Sequence, residues 1–218
     1  MAAEIFAVSA ASLAFSEAAG ATTFAFFVSS SKKLMGDPPF LPGAGTAAPR
    51  PPGADFGWVG QDNPSAGEVG ATSLVEKIGG AGNVLMLDGT PGVQAAEQIH
   101  EGAMSVFEAN SDITVLESIT AKFMREDGMT VMEDLLQKYP DIDGVFAAND
   151  EMALGALDAM ERAGITREIK LVGIDATPQG MEALEEGKLM GTVNQDLDSY
   201  ADTIFEIARC LAQDEPVE

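Results

Sequence analysis

Cysteine and histidine occur once each in 218 residues, as Cys210 and His100. A disulfide within the chain is therefore impossible, and a zinc site of Cys and His ligands has nothing to be built from. A Ser-His-Asp triad would have to recruit His100, but no nucleophile-elbow motif accompanies it. His100 is accordingly expected on a helix surface, and no catalytic constellation supports an enzyme. Basic residues are nearly as scarce: 12 Lys and Arg stand against 35 Asp and Glu, a formal net charge of -23. A field of that sign repels phosphate backbones and anionic membrane surfaces, so nucleic acid is not an expected partner. Nor is there a clean membrane-spanning run. The apolar stretch over residues 3–28 is broken by Glu17 and by many Ala, Ser and Thr residues, and it lacks the positive n-region of an export signal.

Hydrophobic residues make up 46% of the chain, enough to bury a substantial core. Charge is distributed unevenly: residues 1–60 hold only four acids and three bases, so nearly all of the negative charge lies beyond them. Six of the 11 prolines fall between Pro38 and Pro52. A stretch so rich in proline can be neither helix nor central strand and reads as an irregular arm or linker.

From Gly57 onward short apolar runs alternate with helical periodicity. Strands are expected at 58–61, 83–87, 113–118, 144–148, 170–174 and 189–194. Between them lie stripes at i, i+3, i+4 spacing, including Ala71, Leu74, Val75 and Ile78, and later Ala153, Ala156, Leu157 and Met160. A last helix over roughly 197–212 places Leu197, Ala201, Ile204, Ala208 and Leu211 on one face. Pro64 and Pro178 suit first helical turns, and Gly79, Gly164 and Gly187 suit C-terminal stops. Strands alternating with helices at this spacing require right-handed crossovers. The expected class is therefore α/β with a doubly wound, mostly parallel sheet.

In such a sheet every strand ends at one edge, where loops diverge and helix N-termini converge. The polar residues following the apolar runs are Asp62, Asp88, Asn149, Asp175 and Gln195. Carboxylates and amides on one rim suit a neutral ligand rich in hydroxyl groups. Any one of them taken singly also suits a turn or a helix cap. The cluster Asn149-Asp150-Glu151, between "VFAA" and an apolar helix, is expected to face the cleft, with Asn149 holding the ligand. Phe123 lies on the same rim and either stacks on the C–H face of a sugar or serves as a hydrophobic staple. The glycine-rich "GGAG" and "GTPG" fit neither a dinucleotide fingerprint nor a P-loop. Asp196, Asp198 and Asp202 lack the glycine and terminal glutamate of an EF-hand. No cofactor and no metal are expected.

Four segments in order, "VGQDNPSAGE", "TVMEDLLQKYPDID", "DGVFAANDEMALGALDAMERAG" and "LVGIDATPQGMEALEEGKLMGTVNQD", resemble the ribose/galactose type of periplasmic sugar-binding protein, the receptor of an ABC importer. The resemblance covers about 57–213. It implies two α/β lobes, joined by hinges near Gln61 and Gln195, that close on a sugar. Residues 62–195 would form one complete lobe, 1–61 an incomplete N-terminal lobe with its proline-rich arm, and 196–218 a helix returning to that lobe. It also implies a membrane permease as partner and a periplasmic or otherwise extracytoplasmic location. Sugar contacts are implied for Phe123, Asn149, Asp175 and Gln195. Phe26 and Phe27, in "FAFFVSSSKK", faintly match an aromatic pair of the first lobe. Asp62 and Asp88 are not usual ligands of this family. An arginine that the family carries on the second helix of this lobe is replaced here by Ile99. Two other expectations remain beside the receptor: the effector domain of a LacI-like regulator, which shares the fold, and a truncated remnant that binds nothing.

Overall fold

The apolar runs from Gly82 onward form strands because each is short, rich in β-branched or aromatic residues, and bounded by turn-forming residues. The computed structural model describes residues 4–7, 61–195, and positions 201, 202, 204–206, 209 and 213. The chain divides into two compact units, one of residues 1–7 with 63–195, the other of residues 8–62 with 196–218.

In the first unit, strands β1 (Glu4–Ala7), β2 (Gly82–Asp88), β3 (Ile113–Thr120), β4 (Gly144–Ala147), β5 (Lys170–Ile174) and β6 (Gly191–Asn194) form one sheet. Its order is β1-β6-β5-β4-β2-β3, and every neighbouring pair is parallel. The helices are α1 (Asn63–Lys77), α2 (Gln94–Ala109), α3 (Arg125–Lys138), α4 (Asp150–Arg162) and α5 (Pro178–Glu185). The chain moves outward from β2 to β3 and then reverses past β2 to β4. With right-handed crossovers this puts α1 and α2 on one face and α3 to α5 on the other. The doubly wound α/β class is therefore present, with its switch point between β2 and β4.

Two details depart from the sequence-based expectation. Residues 4–7, assigned there to the incomplete first lobe, instead extend this sheet as β1, with Ile5 opposite Thr192 and Phe6 opposite Val193. A short apolar segment satisfies its backbone by pairing with an open strand edge, and β6 offers one. The strand expected at 58–61 falls mostly outside the described residues, and Gln61 is not in a strand.

The core follows from the helical stripes. Leu74, Phe107 and Phe146 are all but inaccessible, and the two rings meet edge to face at 6.2 Å and 82° between planes. Helix pairs approach closely through reciprocal glycines. A Cβ on Gly67 would lie 2.2 Å from the carbonyl of Ile99, and one on Gly102 2.1 Å from that of Pro64; Gly155 and Gly128 do the same between α3 and α4. Such spacing brings backbones together where any side chain would hold them apart. In the second unit, Arg209 is bonded to Glu206 and Gln213 along a helical stretch. Ile204, expected on the apolar face of that helix, is 42% exposed, and Phe205 is 76% exposed.

Candidate functional site

Strand register decides which residues share the rim. Asp88 pairs with Thr120, Leu87 with Ala147, and Ile174 with Val193. The strands therefore end level, and Phe123, Asn149, Asp175 and Gln195 follow β3, β4, β5 and β6 at the same carboxyl edge. These four positions, remote in sequence, are brought to one side of one sheet.

Asn149 is the N-cap of α4. Its Oδ1 accepts from the Met152 amide at 2.9 Å, and its Nδ2 donates to the carbonyl of Phe123 at 3.2 Å. An Asn has two donors and two acceptor lone pairs, so one of each remains for a ligand. The side chain thus ties the β3–α3 connection to the start of α4. Asn149→Ala is expected to cost about 1–2 kcal/mol in urea unfolding. Asn149→Asp, which keeps the cap acceptor but faces a carbonyl with a carboxylate, should retain α4 while loosening the Phe123 loop, seen as faster amide exchange at 122–124.

Phe123 does not begin α3; it precedes Met124, the N-cap of that helix. Its ring packs on Gly89 of the β2–α2 loop, where a Cβ would come within 2.1 Å of the ring. Lys122 and Phe123 have φ of 54° and 62°, and Asp175 and Ala176 have 110° and 49°. Left-handed backbone is costly for such side chains and concentrates at ligand sites. Two of the four expected contacts sit on it.

The Asp175 carboxyl is pushed up to about 7. Crowding by protein atoms is the largest cause, and the charges of Asp150 and Glu151 add to it. The residue as a whole is nonetheless exposed, so water reaches it and moderates the desolvation. Gln195 is buried, and its Nε2 donates to Asn63 Oδ1 at 3.4 Å; Asn63 in turn donates to Gln98 at 3.1 Å. Gln195 thereby joins β6 to the starts of α1 and α2. Phe26 and Phe27 lie outside the described residues.

The cluster at 149–151 does not face outward as a whole. Asp150 is completely buried, and its carboxylate accepts from Thr177 and Thr192. The first turn of a helix packed on its own sheet leaves one side chain of three pointing inward, a phase that composition alone does not set. Burial also pushes the Asp150 carboxyl up, against the lowering effect of those hydrogen bonds. Asp88 is not at the ligand edge as a lone turn residue: it pairs with His100 at 3.0 Å and accepts from Ser118. Among the described residues the side-chain partner of His100 is Asp88. Ile99 is buried in the α2 core, consistent with its place in the apolar stripe. Among the described residues no group of three or more His, Cys, Asp or Glu is placed to hold a metal.

A family model described as a periplasmic binding protein domain matches residues 46–216. The ribose import binding protein of Salmonella typhimurium is 37% identical over 160 residues, covering 73% of this chain and 53% of that protein. A periplasmic solute binding protein of an ABC transporter from Actinobacillus succinogenes, solved with bound D-allose, superposes with a TM-score of 0.70 at 34% identity, covering 73% of this chain and 56% of that one. An ABC transporter solute binding protein from Bacillus halodurans, solved with bound myo-inositol, gives 0.69 at 37% identity over 73% and 55%. The chain thus spans about half the length of the relatives it matches. With the parallel sheet, its level strand ends and this similarity in hand, the chain belongs to the periplasmic binding protein family, of the ribose/galactose type.

Proposed function

We propose that this chain serves as the substrate-binding component of a sugar ABC importer and that its rim holds a monosaccharide or polyol. The observation carrying this reading is the gathering of Phe123, Asn149, Asp175 and Gln195 on one sheet edge of a lobe whose relatives were solved with D-allose and myo-inositol. The aromatic supplies a stacking face, Asp175 accepts from vicinal hydroxyls, and the two amides both donate and accept. In this reading residues 62–195, with Glu4–Ala7 added at the sheet edge, are one lobe, and 8–61 and 196–218 contribute to the other. Hinge closure brings the second lobe over the sugar, and the ligand favours the closed state by its higher affinity for it. A membrane permease is the partner, and the location is extracytoplasmic.

A thermal-shift screen of pentoses, hexoses and polyols tests this directly. Ligand that binds only the folded state at 100 times its Kd stabilises by about 2.7 kcal/mol. A rise in Tm with at least one sugar is expected, and its loss in Asp175→Ala. No rise with any of them would defeat the reading.

A further inference from the structure

We propose that Asp150, on the first turn of α4, is a positioning residue for Asp175: its buried carboxylate fastens the β5–α5 connection to β6 and fixes the backbone on which Asp175 stands. The inference rests on the reading of Asp175 as a ligand contact, and it assigns the geometry of that contact to a residue that never reaches the surface.

Three successive amides follow β5, and each is held. Asp175 N donates to the Val193 carbonyl at 2.9 Å, Ala176 N to Thr192 Oγ1 at 3.1 Å, and Thr177 N to Asp150 Oδ2 at 2.7 Å. The hydroxyl protons are thereby assigned. Thr192 Oγ1 accepts from Ala176 and donates to Asp150 Oδ1 at 2.7 Å. Thr177 Oγ1 accepts from Gly180 N and donates to Asp150 Oδ2 at 3.0 Å. Every partner of Asp150 is a donor, so the network is completed by a carboxylate and by no other protonation state or residue type of that size. Its position on the first turn of α4 adds the favourable field of the helix N-terminus.

The surrounding backbone has been cleared for it. A Cβ on Gly173 would lie 2.3 Å from Asp150 Oδ1, and one on Gly180 2.1 Å from Oδ2. Between these anchors the chain runs through left-handed φ at Asp175 and Ala176. Such backbone persists only where its neighbours over-determine it. A single buried group that ties α4, the start of α5 and β6 together supplies that determination. Glu151, on the same helix turn, acts on Asp175 by charge alone.

The test uses the whole chain with Asp150→Asn, Thr192→Val and, as control, Asp158→Asn on the same helix. Amide exchange is read at 175–177 and at Phe146 in the core, the Asp175 carboxyl is followed by carbon NMR, and ribose and allose binding by calorimetry. In Asp150→Asn the amides of 175–177 should exchange at least tenfold faster while Phe146 stays protected. The Asp175 carboxyl should titrate at lower pH, because a neighbouring negative charge is gone, and sugar affinity should fall at least tenfold. Thr192→Val should loosen the same amides, and it carries the test if Asp150→Asn does not fold. Asp158→Asn should change none of these. Unchanged exchange at 175–177 in both variants, with Asp175 titrating as in the native chain, would overturn the proposal. If the native chain binds neither sugar, the function reading loses support while the exchange and titration arms still decide the positioning role.

Discussion

Gly155→Ala should destabilise the first unit by roughly 2–4 kcal/mol, lowering the urea midpoint without changing the slope. Alanine is the better helix former, by about 1 kcal/mol in a helix interior, so propensity alone predicts the opposite sign. Packing decides. The new methyl would stand 2.1 Å from the carbonyl of Arg125 and 2.8 Å from the amide of Met129. Both are backbone atoms of α3, which cannot swing aside as a side-chain tip can. Relief requires the helices to separate by more than 1 Å, because ordinary contact begins near 3.4 Å, and separation would disturb the Arg125–Asp158 pair at 2.8 Å that bridges them. Glu161→Ala, on the outer surface of α4, should change stability by no more than about 0.5 kcal/mol. A Gly155→Ala chain as stable as the native one would show that α3 and α4 are not in this contact.

Asp175→Asn should act in opposite directions on binding and on stability. The carboxyl is raised to about 7 in the folded chain, against 3.8 for the ordinary group. Between those values the native state holds a proton that the unfolded state has released. Stability therefore falls as pH rises through this window, and the penalty is fully present above pH 7. Removing the carboxyl should raise Tm at pH 8 and leave it nearly unchanged at pH 4. Asparagine also tolerates left-handed φ better than most residues. Sugar binding should suffer: hydrogen bonds to a charged acceptor are worth about 1.5–3 kcal/mol each, so affinity should drop on the order of 100-fold. In the native chain affinity should increase about fivefold from pH 6 to 7 and about tenfold by pH 8, levelling off above that, as the carboxylate becomes available; in Asp175→Asn that dependence should vanish. A native binding curve flat from pH 6 to 8 would refute the assignment of Asp175 as an ionised acceptor. Loss of stability in Asp175→Asn at pH 8 would refute the crowding argument.

The strands from β2 to β6 were legible because each is a short apolar run followed by a polar residue, and in a parallel sheet that punctuation alone fixes the functional edge. Asn149 and Asp175 could be picked out this way without knowledge of their partners. Asp150 was not legible in the same sense. It is one acid among three at a helix start, and whether it turns inward depends on the rotation of α4 against β5. The available signal was distributed: Gly173, Thr177, Gly180 and Thr192 are all small or hydroxyl-bearing and surround one carboxylate, but nothing in their spacing announces a common neighbour. β1 was missed for a different reason. Four residues of "EIFA" inside a long Ala-rich stretch carry no periodicity, and only an unpaired edge on β6 gives them a place.

That edge has a kinetic consequence. Glu4 pairs with Gly191 and Ala7 with Asn194, so one outer strand of the sheet leaves the ribosome well before its mate. Until β6 emerges, Glu4–Ala7 has no template, and contacts this distant along the chain are slow to close. Nascent chains stalled before residue 191 would keep Ile5 and Phe6 without their partners on β6, and chaperone capture at that stage should end when β6 is released.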